Sequence, residues 1–357
     1  MRIKNNIFKF RATLMLVLAV IPCILFAQVP KDGNIYIHPE FGNNANTGSK
    51  ENPIKSLYEA AKRVNEANGK GAINIYLSEG IYGLDATVTF HPANWHFTKE
   101  ARLTIRAASL PDDADWSPAK MPVIISTMPL NFKPGGEEDR GTSYGIQVEM
   151  SHVTIQGLRV LGTPVHERPN ETEVWRNYPI VREGLNLDDL RITQCLFLGD
   201  KHAMPNHLAI LASGHGVVVD HCIFYRVKDA VVFFLSDRPA ERCEMHHNLI
   251  VGNYGGAVWS WSAAPDLKYY NNVVANTNIF WVLNEERKNA YNLSNSMVIG
   301  YDEIIHKDGG AKNFSVKADE KKLIRGENVV FQKDGKVEIE EDLTKQLSSF
   351  ETWHFRS

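Results

Sequence analysis

The chain has 357 residues, with 39 Lys and Arg against 42 Asp and Glu, 43% hydrophobic and 10% aromatic residues, and 4 cysteines. That composition is globular and excludes a disordered chain, a collagen-like repeat or a small disulfide-stapled scaffold. The formal charge of −3 lacks the basic footprint of a nucleic-acid binder, so no nucleic-acid partner is expected.

At the N-terminus, Arg2, Lys4, Lys9 and Arg11 precede an apolar run from Ala12 to Phe26 that ends at Ala27. This is the pattern of a secretory signal peptide, and the run falls short of the roughly 20 residues a membrane-spanning helix needs. The sequence therefore predicts a signal peptide over 1–27, no membrane span, and a periplasmic or secreted protein. Cys23 follows Pro22 where a lipidated cysteine would follow a small residue, so lipoprotein anchoring is not expected. Cleavage leaves 35 basic against 42 acidic residues, a balance of −7 that argues against holding a polyanion by bulk charge. Cys195, Cys222 and Cys243 remain, an odd number without Cys-x-x-Cys or zinc-type spacing, and read as small core residues.

Residues 28–110 read as an N-terminal cap and first coils. Asn52-Pro53 marks a helix start, Leu57, Ala60, Ala61 and Val64 follow at helical spacing, and Asn68-Gly69 ends the helix. Ala72-Ile-Asn-Ile-Tyr-Leu, Thr87-Val-Thr-Phe and Leu103-Thr-Ile-Arg-Ala read as strands. The acidic runs Asp112–Asp115 and Glu137–Asp139 lack the spacing of a calcium loop; calcium is conceivable there, but no metal and no cofactor are assigned.

A repeat organises residues 111–310. Leu190-Arg-Ile-Thr-Gln-Cys-Leu-Phe aligns with Val217-Val-Val-Asp-His-Cys-Ile-Phe, Cys243-Glu-Met-His-His-Asn-Leu-Ile, Leu267-Lys-Tyr-Tyr-Asn-Asn-Val-Val and Tyr291-Asn-Leu-Ser-Asn-Ser-Met-Val. The fifth positions are Gln194, His221, His247, Asn271 and Asn295, in steps of 27, 26, 24 and 24 residues. An earlier copy, Val153-Thr-Ile-Gln-Gly-Leu-Arg-Val, precedes an insertion near 163–189. Each copy carries two short apolar segments, a turn and a third apolar segment, such as Ala230–Leu235 or Ala257–Ser262. Three short strands in about 25 residues describe one coil of an all-β right-handed parallel β-helix, closed by an N-terminal capping helix. The fifth position then reads as a polar ladder along the stack, and Cys195 and Cys222 fall inside. Residues 311–357 read as a C-terminal closing segment.

Gly48-Ser-Lys-Glu-Asn-Pro-Ile-Lys-Ser-Leu-Tyr-Glu-Ala and Ile75-Tyr-Leu-Ser-Glu-Gly-Ile-Tyr, together with the repeat, resemble exported right-handed β-helix proteins of the pectate-lyase-like superfamily. The resemblance implies the fold. The superfamily holds polysaccharide lyases, glycoside hydrolases, epimerases and non-catalytic adhesins, and a shared fold does not choose among them. No catalytic motif of any member is complete here.

Site residues therefore come from alternation along the third segments. With Val231, Val258 and Phe280 inward, the outward set is Leu211, Ser213, Val232, Phe234, Trp259, Trp261, Trp281 and Leu283, with His306 and Asp308 further on. Phe234, Trp259, Trp261 and Trp281 would offer sugar rings an aromatic strip, with Trp175 from the insertion. Turn residues flank it: Lys201 and His207, Asp229, Asp237 and Arg238, Glu285 and Glu286. Hydrolysis of a glycosidic bond needs two carboxyls, for which Asp237 with Glu285 or Glu286 are the candidates. Elimination at a uronate needs a base and cations, for which Lys201, His207 and Arg238 are the candidates. The insertion, with His166, Arg168, Glu171, Tyr178 and Glu183, is expected to wall the groove, His166 or Arg168 supplying a catalytic group. The reading is a secreted monomer that cleaves an extracellular polysaccharide. Hydrolysis is preferred to β-elimination because acids and bases are mixed rather than clustered, and a non-catalytic glycan binder is the rival.

Overall fold

The computed structural model describes residues 28–127, 142–164, 176–284, 290–308, 313–314 and 320–338. The N-terminal segment read as a signal peptide lies outside them. No helix among the described residues is long and apolar enough to cross a membrane.

The short apolar segments pair in parallel with their counterparts one coil away, giving three stacks that run along a common axis. The first stack includes Asn34–Ile37, Ile73–Leu77, Leu103–Ala107, Val153–Gln156, Leu190–Thr193, Val217–Asp220, Glu244–His246 and Lys268–Tyr270. The second runs through Ile81–Leu84, Val123–Ser126, Arg159–Leu161, Leu196–Leu198, Ile223–Tyr225 and Leu249–Val251. The third runs through Val88–Phe90, Thr142–Val148, Arg176–Arg182, Leu208–Ala212, Asp229–Phe233 and Gly256–Trp259. Beyond Lys268 the corners soften, and Val273–Asn284 and Tyr291–Asp308 each cross two or more stacks as one long strand. Ile324–Gln332 then adds a further rung to the first and second stacks. This is the right-handed parallel β-helix the repeat predicts, in the crossover sense that twisted parallel strands favour.

Residues facing inward along the axis are almost uniformly apolar. Phe197 and Phe224 stack at 4.8 Å with an interplanar angle of 6°, and the free thiols of Cys195, Cys222 and Cys243 are buried among them. The helix Leu57–Glu66 lies against the first coils with Leu57, Ala60, Ala61 and Val64 buried. It begins later than Asn52-Pro53 suggests, because Ser56 is its N-cap and accepts from Glu59 N, while Ile54 forms a bridge with Ile37. Arg63 is buried too, its guanidinium held by Glu59 and the carbonyls of Asn44, Asn46 and Thr47.

The ladder position has a backbone reason as well as a side-chain one. Gln194, His221, His247 and Asn271 all adopt left-handed φ of 53–55°, Asn295 has φ 45°, and the equivalent Gly157 has φ 74°. A left-handed corner selects Gly, Asn and a few polar residues. The side chains also pair along the axis: His221 stacks on His247 at 4.9 Å, and Asn271 Nδ2 lies 3.0 Å from His247 Nε2. A second ladder, unpredicted, runs inside at the next position. Asn248 Oδ1 accepts from Cys222 N, Asn272 Oδ1 from Asn248 N, and Ser296 Oγ from Asn272 N.

The insertion is shorter than the sequence suggests, because Arg176–Arg182 within it is the third-stack strand of its own coil, paired on both sides.

Asp220 closes the first stack at the corner before His221. Its side chain is fully buried, and although burial raises its pKa, hydrogen bonds from Arg191, His221 and Thr193 outweigh that and hold it at about 2. A carboxylate depressed in the fold contributes stability above its unfolded value of about 3.9 and loses it as pH falls through the folded value. Asp220→Asn should therefore lower the melting temperature at pH 7, and the gap to wild type should shrink between about pH 4 and pH 2. A gap constant across that window would show that the ionised carboxylate is not what stabilises the corner.

Candidate functional site

Outward positions of the third stack form two rows. The strand register aligns Gln147, Val181, Leu211, Val232, Trp259, Val282 and His306 in one row. Two residues further along each strand, Glu149, Glu183, Ser213, Phe234, Trp261, Asn284 and Asp308 form the second. Val181, Leu211 and Val232 pack as an apolar floor against Tyr144, Tyr178, Leu208 and Trp259.

At one end, Gln147 Nε2 donates to Glu149 Oε1 at 2.7 Å and to Glu183 Oε2 at 3.0 Å, so one amide joins exposed carboxylates on adjacent coils. Tyr144 also bonds to Glu183, and burial, with that carboxylate beside it, raises its phenol pKa, which keeps it a donor at neutral pH. The Tyr144 and Tyr178 rings stack at 5.7 Å, and Tyr178 tilts over the buried His207 at 5.6 Å.

In the middle, Lys228 Nζ lies 2.8 Å from His207 Nε2 and 3.0 Å from Asp229 Oδ2. The Asp229 side chain is fully buried, and its other oxygen accepts from Gly256 N at 2.6 Å and Trp259 Nε1 at 2.9 Å. Asp229 thus fixes the Trp259 indole, and Trp261 stacks on it at 6.2 Å with a 13° interplanar angle. Phe234, 36% exposed, precedes Trp261 in the second row.

Trp281 corrects the predicted strip. It is fully buried and pairs with the inward Val258, so Val282 faces out instead. The cause is a turn one residue shorter: eleven residues lead from His247 to Val258 and ten from Asn271 to Trp281, and a one-residue slip exchanges the faces of a strand. Its indole N–H finds an interior partner in Ser260 Oγ at 2.8 Å. Leu283 is inward for the same reason, whereas His306 and Asp308 keep the outward register.

The other predicted residues fall in three places. Asp237 lies beyond the third strand, where His215 Nε2 donates to it at 2.7 Å and Arg238 sits 3.3 Å away. The His215 bond, with Arg238 beside it, holds its carboxyl below the ordinary range, which suits a base and not a proton donor. Lys201 lines a different pocket of about 560 Å³, with Tyr254, Asn278, Asp302 and Lys333, at the corner between the second and third stacks. Glu285, Glu286, His166, Arg168 and Trp175 lie outside the described residues. Tyr144, Gln147, Glu149, His215 and Lys228 went unremarked in the sequence. Extending the alternation back two coils would have found Gln147 and Glu149, whereas nothing local flags His215 or Lys228.

The acidic run at Asp112–Asp115 does not converge: Asp112 accepts from Gln194, Asp113 from Leu110 N and Asp115 from Lys120. Glu137–Asp139 lies outside the described residues. Among the described residues, metal-ligating side chains gather only at the corner holding Asp220, His221 and His246.

No protein-family model matches the sequence, and no curated protein matches it. Solved structures with a similar chain path include the pectin methylesterase PemA from Erwinia chrysanthemi, at 9% identity over 85% of this chain and 92% of that one, with a TM-score of 0.48. A pectin methylesterase in complex with hexasaccharide VII aligns at 11% identity over 90% and 97%, TM-score 0.48. XylC with xylose aligns at 10% identity over 76% of this chain, TM-score 0.44, and this chain spans 64% of that protein's length.

Replacing Asp229 with Ala leaves the Trp259 and Gly256 N–H groups without their acceptor. That should destabilise the fold by about 1–3 kcal/mol in denaturant titration and change the tryptophan emission. An emission spectrum identical to wild type would show that Asp229 does not hold Trp259.

Proposed function

We propose that the chain is a carbohydrate-active enzyme that cleaves glycosidic bonds of a polysaccharide lying along the third-stack face, with Glu149 and Glu183 as its carboxyl pair. The observation that carries this is the shared Gln147 amide, whose contacts of 2.7 and 3.0 Å keep the accepting oxygens no more than 5.7 Å apart. That is nearer the spacing of retaining glycosidases, about 5–5.5 Å, than the 6.5–9.5 Å of inverting ones. Glu183 accepts from both Gln147 and Tyr144, donors that complement a carboxylate, and takes the nucleophile's role at the anomeric carbon. Glu149 takes the acid's role, protonating the leaving oxygen and then activating the water that releases the sugar.

The rows supply the subsites. Glu183, Ser213, Phe234 and Trp261 belong to successive coils about 4.8 Å apart, a rise that suits one pyranose ring per coil. Phe234, Trp259 and Trp261 offer flat faces to the apolar C–H surfaces of the rings. The −7 balance of the chain without its leader fits a neutral glycan better than a polyuronate.

A second reading, β-elimination on a uronate, rests on Lys228 lying against His207 and Asp229 beside Tyr178, a cation and an imidazole on the same face.

The test incubates the protein with neutral and acidic polysaccharides and records both new reducing ends and the ultraviolet absorbance of unsaturated uronates. Reducing ends without absorbance are expected, with Glu149→Gln and Glu183→Gln each lowering turnover by about a hundredfold or more while circular dichroism is unchanged. Trp261→Ala should weaken glycan binding. Absorbance that survives both glutamine variants and vanishes in Lys228→Met would establish elimination instead. Binding without any product would make the chain a glycan-binding protein.

A further inference from the structure

The β-helix register builds a second cluster at the corner between the first and second stacks, on a different face from the carboxylate pair. Asp220 pairs with His246 on the next coil, and the following residues, His221 and His247, occupy the left-handed ladder position. Two dipeptides, Asp-His and His-His, are thus laid side by side although 26 residues separate them.

The geometry is that of a partly assembled ligand set. One ligand atom from each of Asp220, His221 and His246 lies within 4.8 Å of the other two. His246 is held between neighbours: Tyr270 stacks on it at 4.7 Å, and His221 and His247 stand edge-on at 6.0 and 5.1 Å. His246 Nδ1 and His247 Nδ1 are 2.9 Å apart. The His221 side chain is 53% exposed and has room to turn.

We propose that Asp220, His221 and His246 bind a late first-row transition-metal ion, with Zn²⁺ as the chemistry they fit. Zinc bonds to imidazole nitrogen and carboxylate oxygen run about 2.0–2.2 Å, which places donors on one ion roughly 3–3.5 Å apart. A rotation of exposed His221 brings the set to that spacing. The imidazoles favour zinc or copper over calcium and magnesium, which take oxygen donors. Arg191, bonded to both oxygens of Asp220 at 2.9 and 2.8 Å, and Thr193, at 2.9 Å, fix the carboxylate as outer partners fix metal ligands. An ion here would tie two coils together and stabilise the folded chain by mass action.

The neighbouring coils supply variants that keep the fold. Asn271 fills the His221 position one coil beyond His247, and Tyr270 fills the His246 position on that same coil, so His221→Asn and His246→Tyr are already accommodated by this architecture. The chelator-treated protein is titrated with zinc chloride by calorimetry, with melting temperature followed in parallel. One equivalent should bind and raise the melting temperature, and each variant should lose about tenfold or more in affinity, with a smaller zinc-induced rise measured from its own metal-free melting temperature. Copper substituted for zinc should show nitrogen hyperfine coupling in its paramagnetic resonance spectrum. No stoichiometric zinc uptake by wild type, or equal uptake by the double variant, would overturn the site. Neither result bears on the glutamate pair, whose variants should keep full zinc binding.

Discussion

Everything on the surface of this molecule depends on hydrogen-bonded registry between successive coils. Each strand is short and could not persist in isolation; it is held because the same positions pair one coil above and one coil below. Registry converts a step of about 25 residues in sequence into a translation of about 4.8 Å in space. Residues remote in the chain become neighbours in a row, and every row is a candidate surface.

The same constraint explains how a charged and aromatic face coexists with an apolar interior. Inward residues stack on their own kind, as Phe197 does on Phe224. Asn248, Asn272 and Ser296, carried inside on successive coils, each bond to a backbone N–H of the preceding coil. Where charge is buried beneath the outward face, it is anchored: Asp229 by Lys228, Gly256 and Trp259, and Arg182 by the carbonyls of Ser213 and His215. Burial lowers the Arg182 pKa to about 10, still well above neutrality. These anchored charges hold the outward side chains in one arrangement.

Much of the fold was legible from five aligned segments, since a spaced apolar pattern with a polar corner has few ways to bury itself. The aromatic strip was legible only in part. Trp259 and Trp261 face out as alternation requires, but Trp281 does not, because one residue fewer in the turn before it exchanges the faces of its strand. The proposed carboxylate pair was harder still. Glu183 stood out only as one of many charges in a long insertion, and Glu149 lies on a coil whose sequence departs too far from the repeat to be recognised as a copy. His215 and Lys228 carry no local signal; each gains meaning from a partner on another coil.

By itself, the sequence determined the period, the inward apolar set of the first and second strands, the polar left-handed corner and the composition of the third strands, because these follow from alternation and burial within a single coil. Only the tertiary structure decided which residues meet: Glu149 with Glu183, Asp229 with Trp259, Asp220 with His246. Those pairings depend on the length of every intervening turn, and a change of one residue in a turn shifts a whole strand by a full alternation while leaving its composition untouched.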